Sequence, residues 1–335
     1  MSKKTFVLVT GSDGLVGNGI KIATTYNSFT NDDKNHVFYY AKRSDADLLI
    51  PEEVNKLFER VKPDIVVHLA ARVGGLFANM RNPVKFFEDN MLMQINIMRA
   101  SRETKVKRII SCLSTCIFPA KVDYPIRELS LHDGEPHESN FAYSYAKRMV
   151  EVLGRAYEKE HNIECINICP CNVYGPYDNF NSMDAHVIPS LIHRCYNCIK
   201  NEIDFEVYGT GKPLRQFIYN VDLGKIILKL ISKKDLRYKT YIIASPPEQE
   251  KSIKDVAELI LNNFHNFDFA FKTAVEVKKT KMVWNTNKSD GQYRKTVSID
   301  QLLYEFDDAI EFTDIKIGLK KTVDWFIDNY GTIRK

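Results

Sequence analysis

Ten residues near the start of the chain constrain its fold more than any others. The apolar run Thr5–Val9 leads into Thr10-Gly-Ser-Asp-Gly-Leu-Val-Gly, with Gly11, Gly14 and Gly17 spaced G-x-x-G-x-x-G, and a helical stretch Leu15–Tyr26 follows. A buried strand that ends in such a turn and opens a helix is a dinucleotide-binding element. The first glycine permits the tight turn and the second lets backbone approach a pyrophosphate. The third packs helix against strand, and the helix start offers free N–H groups and a positive dipole end to the phosphates. The turn residues Gly11, Ser12, Asp13, Gly14, Leu15, Val16 and Gly17 are therefore read as cofactor contacts.

Which dinucleotide binds depends on the end of the second strand, where an acid suits a ribose hydroxyl and an arginine suits a 2′-phosphate. The sequence there is VFYYAKRSDADL, so Lys42 and Arg43 favour NADP, with Asp45 and Asp47 slightly later and able to serve the adenine.

Strand and helix signals alternate through the first half. Strands are read at Thr5–Val9, His36–Tyr40, Asp64–Leu69, Arg108–Leu113 and Glu164–Cys169, and helices at Leu15–Tyr26, Pro51–Val61, Pro83–Glu103 and Phe141–His161. Such alternation, with Ile- and Val-rich strands, predicts an α/β fold: a doubly wound parallel sheet of the Rossmann type with right-handed crossovers. Past Pro170 the rhythm changes. Short strands at Phe205–Tyr208 and Gln216–Tyr219 mix with helices at Val187–Asn201, Asp222–Ser232, Ser252–Asn263 and Ile315–Tyr330. Residues 1–178, joined again by 217–248, are read as the nucleotide-binding domain. Residues 179–216 and 249–335 are read as a smaller mixed α/β substrate domain over the sheet's carboxyl edge. The Asn- and Lys-rich connection Asn27–Asn35 carries no visible chemistry.

Composition excludes several classes. The 47 basic and 43 acidic residues leave a net charge of +4 with no clustered patch, which argues against a nucleic-acid partner. No apolar run approaches the ~20 residues of a membrane span. The five residues after Lys3-Lys4 are too short for a signal peptide's apolar region, and seven cysteines without such a signal read as reduced thiols, so the expected location is cytoplasmic. Cys195 and Cys198 follow His193 as C-x-x-C, but no second pair stands at metal-binding spacing, and the run reads as a helix with no metal site.

The catalytic signal lies in YSYAKR. Tyr143 and Lys147 stand one helical turn apart and face the same way. A phenol is a poor acid or base near neutrality, and a neighbouring lysine cation is expected to lower its pKa toward the working range. The preceding strand ends in SCLSTCIFP, whose Ser114 can donate a hydrogen bond to the same carbonyl oxygen.

With these motifs together, the chain resembles the extended short-chain dehydrogenases/reductases of the epimerase/dehydratase type. The likeness runs nearly end to end, through HLAARVGGLFAN, SCLSTCIFP, YSYAKRMV, NVYGPYDNF, HVIPSLIHR, YGTGKPLRQFIY and KSDGQYRKT. Within that group it resembles the members that epimerise carbons 3 and 5 and then reduce carbon 4 of GDP-4-keto-6-deoxy-D-mannose with NADPH. The resemblance implies that Tyr143 donates a proton to the carbonyl oxygen at carbon 4, that Lys147 anchors the nicotinamide ribose, and that Ser114 supports the oxygen. Carbons 3 and 5 both neighbour the ketone, so one oxyanion site serves all three steps. Inversion needs proton carriers on opposite faces, and the resemblance implies Cys116 as base and His186 as acid. It also assigns Leu48, Pro170, Asn172, Val173 and His186 to the cofactor, and Arg194, Tyr208, Arg215 and Asp290 to the diphosphate and guanosine. Tyr208 stands where relatives commonly carry tryptophan, and it keeps an aromatic face. A homodimer built on the helices Pro83–Glu103 and Phe141–His161 is implied as well.

Two other readings compete. A sugar-nucleotide 4-epimerase or 4,6-dehydratase would recycle bound NAD, but a dehydratase usually shows an acidic pair beside the serine, where this chain has Thr115-Cys116. A silent NADP sensor would tolerate loss of Tyr143 or Lys147, and both are present.

Overall fold

A computed structural model of the chain describes residues 4–26, 35–181, 185–266, 280–288, 290 and 292–334. In chain order the first half runs β1 (Thr5–Thr10), α1 (Leu15–Thr25), β2 (His36–Tyr40), α2 (Pro51–Val61), β3 (Ile65–His68), α3 (Leu76–Arg81), α4 (Pro83–Glu103), β4 (Arg108–Cys112), α5 (Phe141–His161) and β5 (Glu164–Pro170). Local chemistry sets these bounds. Proline opens α2 with Glu52 and Glu53 in its first turn, and Lys62 closes it in the left-handed conformation.

The second half runs β6 (Asn172–Tyr174), α6 (Val187–Lys200), β7 (Phe205–Tyr208), β8 (Leu214–Arg215), β9 (Phe217–Tyr219), α7 (Asn220–Ser232), β10 (Thr240–Ile243), β11 (Lys251–Ser252), α8 (Ile253–His265), β12 (Met282–Asn285), α9 (Asp300–Glu305) and α10 (Ile315–Asp328). The elements read from the sequence fall where they were placed, to within two residues. The short elements α3, α9, β6, β8, β10, β11 and β12 carry too few residues for a periodic signal, and the sequence does not announce them.

Six strands form one wholly parallel sheet in the order β10-β5-β4-β3-β1-β2. Successive strand residues serve opposite faces. Val7, Val9, Val67 and Ile110 enter one core, while Leu8, Val66 and Ile109 enter the other, against Val54, Phe58, Ile97 and Met98. Because β1 lies between β2 and β3, the direction of winding reverses there, and the crevice outside the carboxyl ends of β1 and β3 is where such sheets bind ligands. Helix α7 packs on α1, and β10 completes the far edge of the sheet beside β5. Three two-stranded pairs, β6 with β9, β7 with β12 and β8 with β11, stand apart from it. The larger core continues without a break into this region, taking in Phe205, Phe264 and Phe326.

The connection Asn27–Asn35 lies, apart from Asn35, outside the described residues, as do Lys3 and parts of the segments 179–216 and 249–335. Among the described residues no helix is long and apolar enough to cross a membrane.

Candidate active site

The turn after β1 is shaped by what cannot be there. Gly11 has φ +66°, and a Cβ on it would lie 2.7 Å from the backbone nitrogen of Ala70, just past β3. A Cβ on Gly17 would lie 2.5 Å from Ser12 Cα, so the third glycine packs the helix against the turn itself rather than against the strand. Gly14 caps α1, with neither a side-chain cap nor an acid in the first turn. The helix start thus keeps unpaired N–H donors and an uncompensated dipole, which fits the diphosphate of a dinucleotide. Leu15 and Val16 are half-buried. The Ser12 hydroxyl donates to Ala41 O at 2.9 Å, and Asp13 pairs with Lys21 at 3.0 Å. Asn220 at the start of α7 donates to Leu15 O and Pro176 O, both at 3.1 Å, tying the turn to the neighbouring loop.

Past β2, Lys42 and Arg43 are exposed. Asp45 accepts from Lys42 N at 2.8 Å, Tyr39 Oη at 2.9 Å and Arg60 at 3.1 Å. The backbone N–H of Lys42, followed by Tyr39 and Arg60, holds this carboxyl below its ordinary range. Asp45 is therefore spent inside the loop, and the positive pair beside it fits a 2′-phosphate. Asp47 accepts from Leu49 N at 3.0 Å, and the Leu48 carbonyl accepts from Asn96 at 3.0 Å.

Tyr143 and Lys147 share one face of α5, above the end of β4. Lys147 is buried and its Nζ donates to Cys112 O at 2.9 Å. The Tyr143 ring meets the edge of Phe86 on α4, with centroids 6.3 Å apart at 84°. Burial pushes the Tyr143 phenol well above its usual value, and the facing thiols of Cys116 and Cys112 add to the rise. This corrects the sequence expectation that Lys147 lowers it: desolvation of the phenolate outweighs the cation, whose ammonium is committed to a backbone carbonyl. The phenol stays protonated, the state a proton donor needs. Burial also lowers Lys147. His68, at the end of β3, is held neutral, its pKa lowered to about 3 by burial and then by Lys147, with Nδ1 2.8 Å from Thr10 Oγ1.

Ser114 opens a single helical turn, Thr115–Ile117, and its Oγ accepts from Cys116 N at 3.4 Å. Arg148, one residue beyond Lys147, clamps that turn to α5: it is buried, donates from Nε to Ile117 O at 2.9 Å and from Nη1 to Gly134 O at 2.8 Å. Sequence reasoning missed this residue, since an arginine after Lys147 carries no periodic or motif signal. The thiols of Cys112, Cys165, Cys169, Cys171, Cys195 and Cys198 are all pushed up by burial and stay protonated. Cys116, half-buried, faces Tyr143 and Lys147. His186 stands at the start of α6, open to solvent but set among enough protein to lower its pKa, so the ring is neutral near pH 7. Pro170 ends β5, and Asn172, on β6, donates to Gln216 O at 2.9 Å beside the half-buried Val173.

On the far side, Arg194 stacks over Tyr208 at 3.7 Å, and Lys288 lies 5.7 Å from the same ring. Arg194 also donates to Glu206 O at 3.3 Å. Arg215 donates to Leu214 O at 2.7 Å and Gln292 O at 2.5 Å. Asp290 accepts from Thr210 N and Oγ1 at 2.6 and 2.7 Å, so both its oxygens hold the turn after β7. Cys195 and Cys198 lie buried on α6, His193 is 2.7 Å from Phe180 O, and among the described residues no metal-binding cluster is formed.

A phosphate-binding turn at the switch point, a Tyr-Lys pair on the helix beyond β4 and a serine at that strand's end are the site of a dinucleotide-dependent enzyme of the short-chain dehydrogenase/reductase class. The chain belongs to the NAD dependent epimerase/dehydratase family, whose model matches residues 7–244. It is 45% identical to the GDP-L-fucose synthase of Dictyostelium discoideum, covering 100% of this chain and 98% of that one. It is also 38% identical to the probable GDP-L-fucose synthase of Drosophila melanogaster, covering 98% and 99%. Among solved structures, the GDP-L-fucose synthetase of Naegleria fowleri bound to NADP superposes with a TM-score of 0.89 at 38% identity, covering 100% of this chain and 96% of that one.

Proposed function

We propose that this protein uses NADPH to convert GDP-4-keto-6-deoxy-D-mannose into GDP-L-fucose, epimerising at carbons 3 and 5 and reducing the ketone at carbon 4. One observation carries the reading: a protonated phenol, a buried ammonium and a thiol, from Tyr143, Lys147 and Cys116, face one another at the carboxyl end of β4. Bound NADPH supplies the reducing equivalent for carbon 4. It would be held by the turn Gly11–Gly17, by Arg43 at its 2′-phosphate, and by Asp47, Leu48, Lys147, Pro170, Asn172, Val173 and His186.

The chain's own groups do the rest. Tyr143 and Ser114 hydrogen-bond the carbonyl oxygen at carbon 4, which acidifies the protons at carbons 3 and 5 and stabilises the enolate that their removal leaves. Cys116 takes a proton from one face, and His186, a strong acid once protonated, returns one to the other. Tyr143 then protonates the oxygen at carbon 4 during reduction, with the Lys147 ammonium stabilising the phenolate left behind. Arg194 and Arg215 hold the diphosphate, and Tyr208 and Asp290 border the guanosine.

In this reading, residues 1–178 with 217–248 hold the cofactor, and 179–216 with 249–335 hold the sugar nucleotide. The protein is cytoplasmic and works as a homodimer through α4 and α5. Exposed Val84, Phe87 and Leu92 on α4, and Phe141 and Val152 on α5, support that interface. The test is an NADPH-oxidation assay with the ketosugar nucleotide and NMR of the product. GDP-L-fucose formed one-for-one with NADPH consumed is the expected result. No consumption, with tightly held NAD instead, would select a recycling epimerase or dehydratase.

A further inference from the structure

Gln216 stands at the joint between β8 and β9. Before it, β8 pairs with β11, and Leu214 N donates to Tyr293 O at 2.9 Å. After it, β9 pairs with β6. Gln216 is buried, and its side chain reaches to both sides of this joint. Nε2 donates to Ser245 O, just past β10, at 2.6 Å and to Val297 O at 3.3 Å, while Oε1 accepts from Val297 N at 2.7 Å. Its backbone carbonyl accepts from Asn172 Nδ2 at 2.9 Å. A buried amide with both of its polar atoms paired is a rigid tie, and an apolar side chain in its place would strip those main-chain groups of their partner.

The segment that Gln216 grips also holds Arg215. The Arg215 guanidinium donates to Gln292 O at 2.5 Å and Tyr293 O at 3.3 Å, besides Leu214 O at 2.7 Å. Among the described residues its acceptors are uncharged carbonyls, so the guanidinium is aimed without being neutralised, as an anion-binding group must be. The loop that follows Thr115–Ile117 holds the same segment from another side: Ile126 N donates to Thr296 O at 2.9 Å and Ser298 N to Ile126 O at 2.8 Å. At the exposed lip, Tyr124 Oη donates to Arg294 O at 2.8 Å and accepts from Gln292 Nε2 at 3.0 Å.

We infer that Gln216 is a positioning residue for sugar-nucleotide binding: by tying Val297 to Ser245 it fixes the segment whose carbonyls aim Arg215 at the diphosphate. The inference rests on the reading of Arg215 as a diphosphate ligand. Gln216 acts through Arg215 and takes part in no chemical step.

The test is a double-mutant cycle on GDP affinity, read by titration calorimetry on the full chain in the natural protein, Gln216→Met, Arg215→Met and the two together. Arg215→Met should weaken GDP about 30-fold, the loss of one hydrogen-bonded charge pair, and Gln216→Met about tenfold. The double variant should bind GDP within about twofold of Arg215→Met, because Gln216 then has nothing to aim. In turnover, Gln216→Met should raise KM for the ketosugar nucleotide about tenfold and change kcat by less than about threefold. NADPH affinity and melting temperature report on folding. Where Gln216→Met fails to fold, Tyr124→Phe loosens the same segment from its exposed lip and should weaken GDP about threefold; unchanged affinity there overturns the inference. Weakened binding in Arg215→Met but not in Gln216→Met overturns it as well, and so does a double variant in which the two losses multiply. Unchanged affinity in Arg215→Met overturns the reading of Arg215 itself, and the inference falls with it.

Discussion

The two ends of the cleft are assembled from very different lengths of chain. At the dinucleotide end, the turn itself lies between Thr10 and Gly19, and the tightest contacts are backbone against backbone: Gly17 against Ser12 within it, Gly11 against Ala70 just past β3, and Gly19 against Asn220 O at the start of α7. At the sugar end the groups come from Ser114 and Cys116 after β4, Tyr143 and Lys147 on α5, His186 before α6 and Arg215 on β8. Their contacts run through side chains and single hydrogen bonds. A site made of backbone contacts tolerates almost no added atom. A site made of side chains placed by the fold can lose one chemical group and keep its shape.

Substitution at the first end should therefore remove binding and stability together. Gly17→Val places a Cβ 2.5 Å from Ser12 Cα, so the turn must move. NADPH affinity is expected to fall at least ~100-fold by titration calorimetry, with a lower melting temperature. Retained NADPH binding in this variant would break the contrast between the two ends.

Tyr143→Phe at the second end should do the reverse. The rate of NADPH oxidation with the ketosugar should fall about 10²- to 10⁴-fold, while NADPH affinity and melting temperature stay close to their original values. A matching loss of NADPH binding would show that the phenol is structural rather than a proton donor.

Cys116→Ser sharpens the comparison within the sugar end. Solvent deuterium incorporation at carbons 3 and 5 should drop about 10²-fold, and reduction of a ketone already epimerised should continue. NMR of the sugar reads both, and normal incorporation would remove Cys116 from the base role.

The last effect concerns stability alone and leaves turnover untouched. Asp178, between β6 and α6, is buried; burial pushes its carboxyl up to about 7, against smaller opposing contributions from the Asn179 N–H that donates to it and then from Arg334. In the folded state it binds a proton that the unfolded chain releases near pH 4, so its contribution to stability falls as pH rises from about 4 to about 7. Asp178→Asn should leave stability near pH 4 unchanged and raise it at pH 8 by up to about 4 kcal/mol. Urea unfolding at the two pH values checks this, and equal stabilities at pH 8 would mean that Asp178 is not desolvated.

Much of this was legible beforehand. The G-x-x-G-x-x-G turn announced its geometry because spacing, positive φ and helix start are all local, and Tyr143 with Lys147 declared themselves through helical pitch. The direction of the Tyr143 shift was not legible, since it depends on how much protein surrounds the phenol and on where the Lys147 ammonium is committed. Nor was the Arg148 clamp on the turn that holds Cys116, because its partners are carbonyls, which leave no mark in a sequence.

Strand periodicity, glycine spacing and the four-residue interval on α5 are properties of neighbouring residues, and they alone determined the parallel α/β sheet, the nucleotide turn and the Tyr-Lys pair. Tertiary structure decided which charges meet. Setting the Arg148 guanidinium on Ile117 O and Gly134 O, around the turn that carries Cys116, takes the packing of α5 on segments distant in the chain, and the charge state of each buried group then follows from the desolvation and the neighbours that this packing imposes.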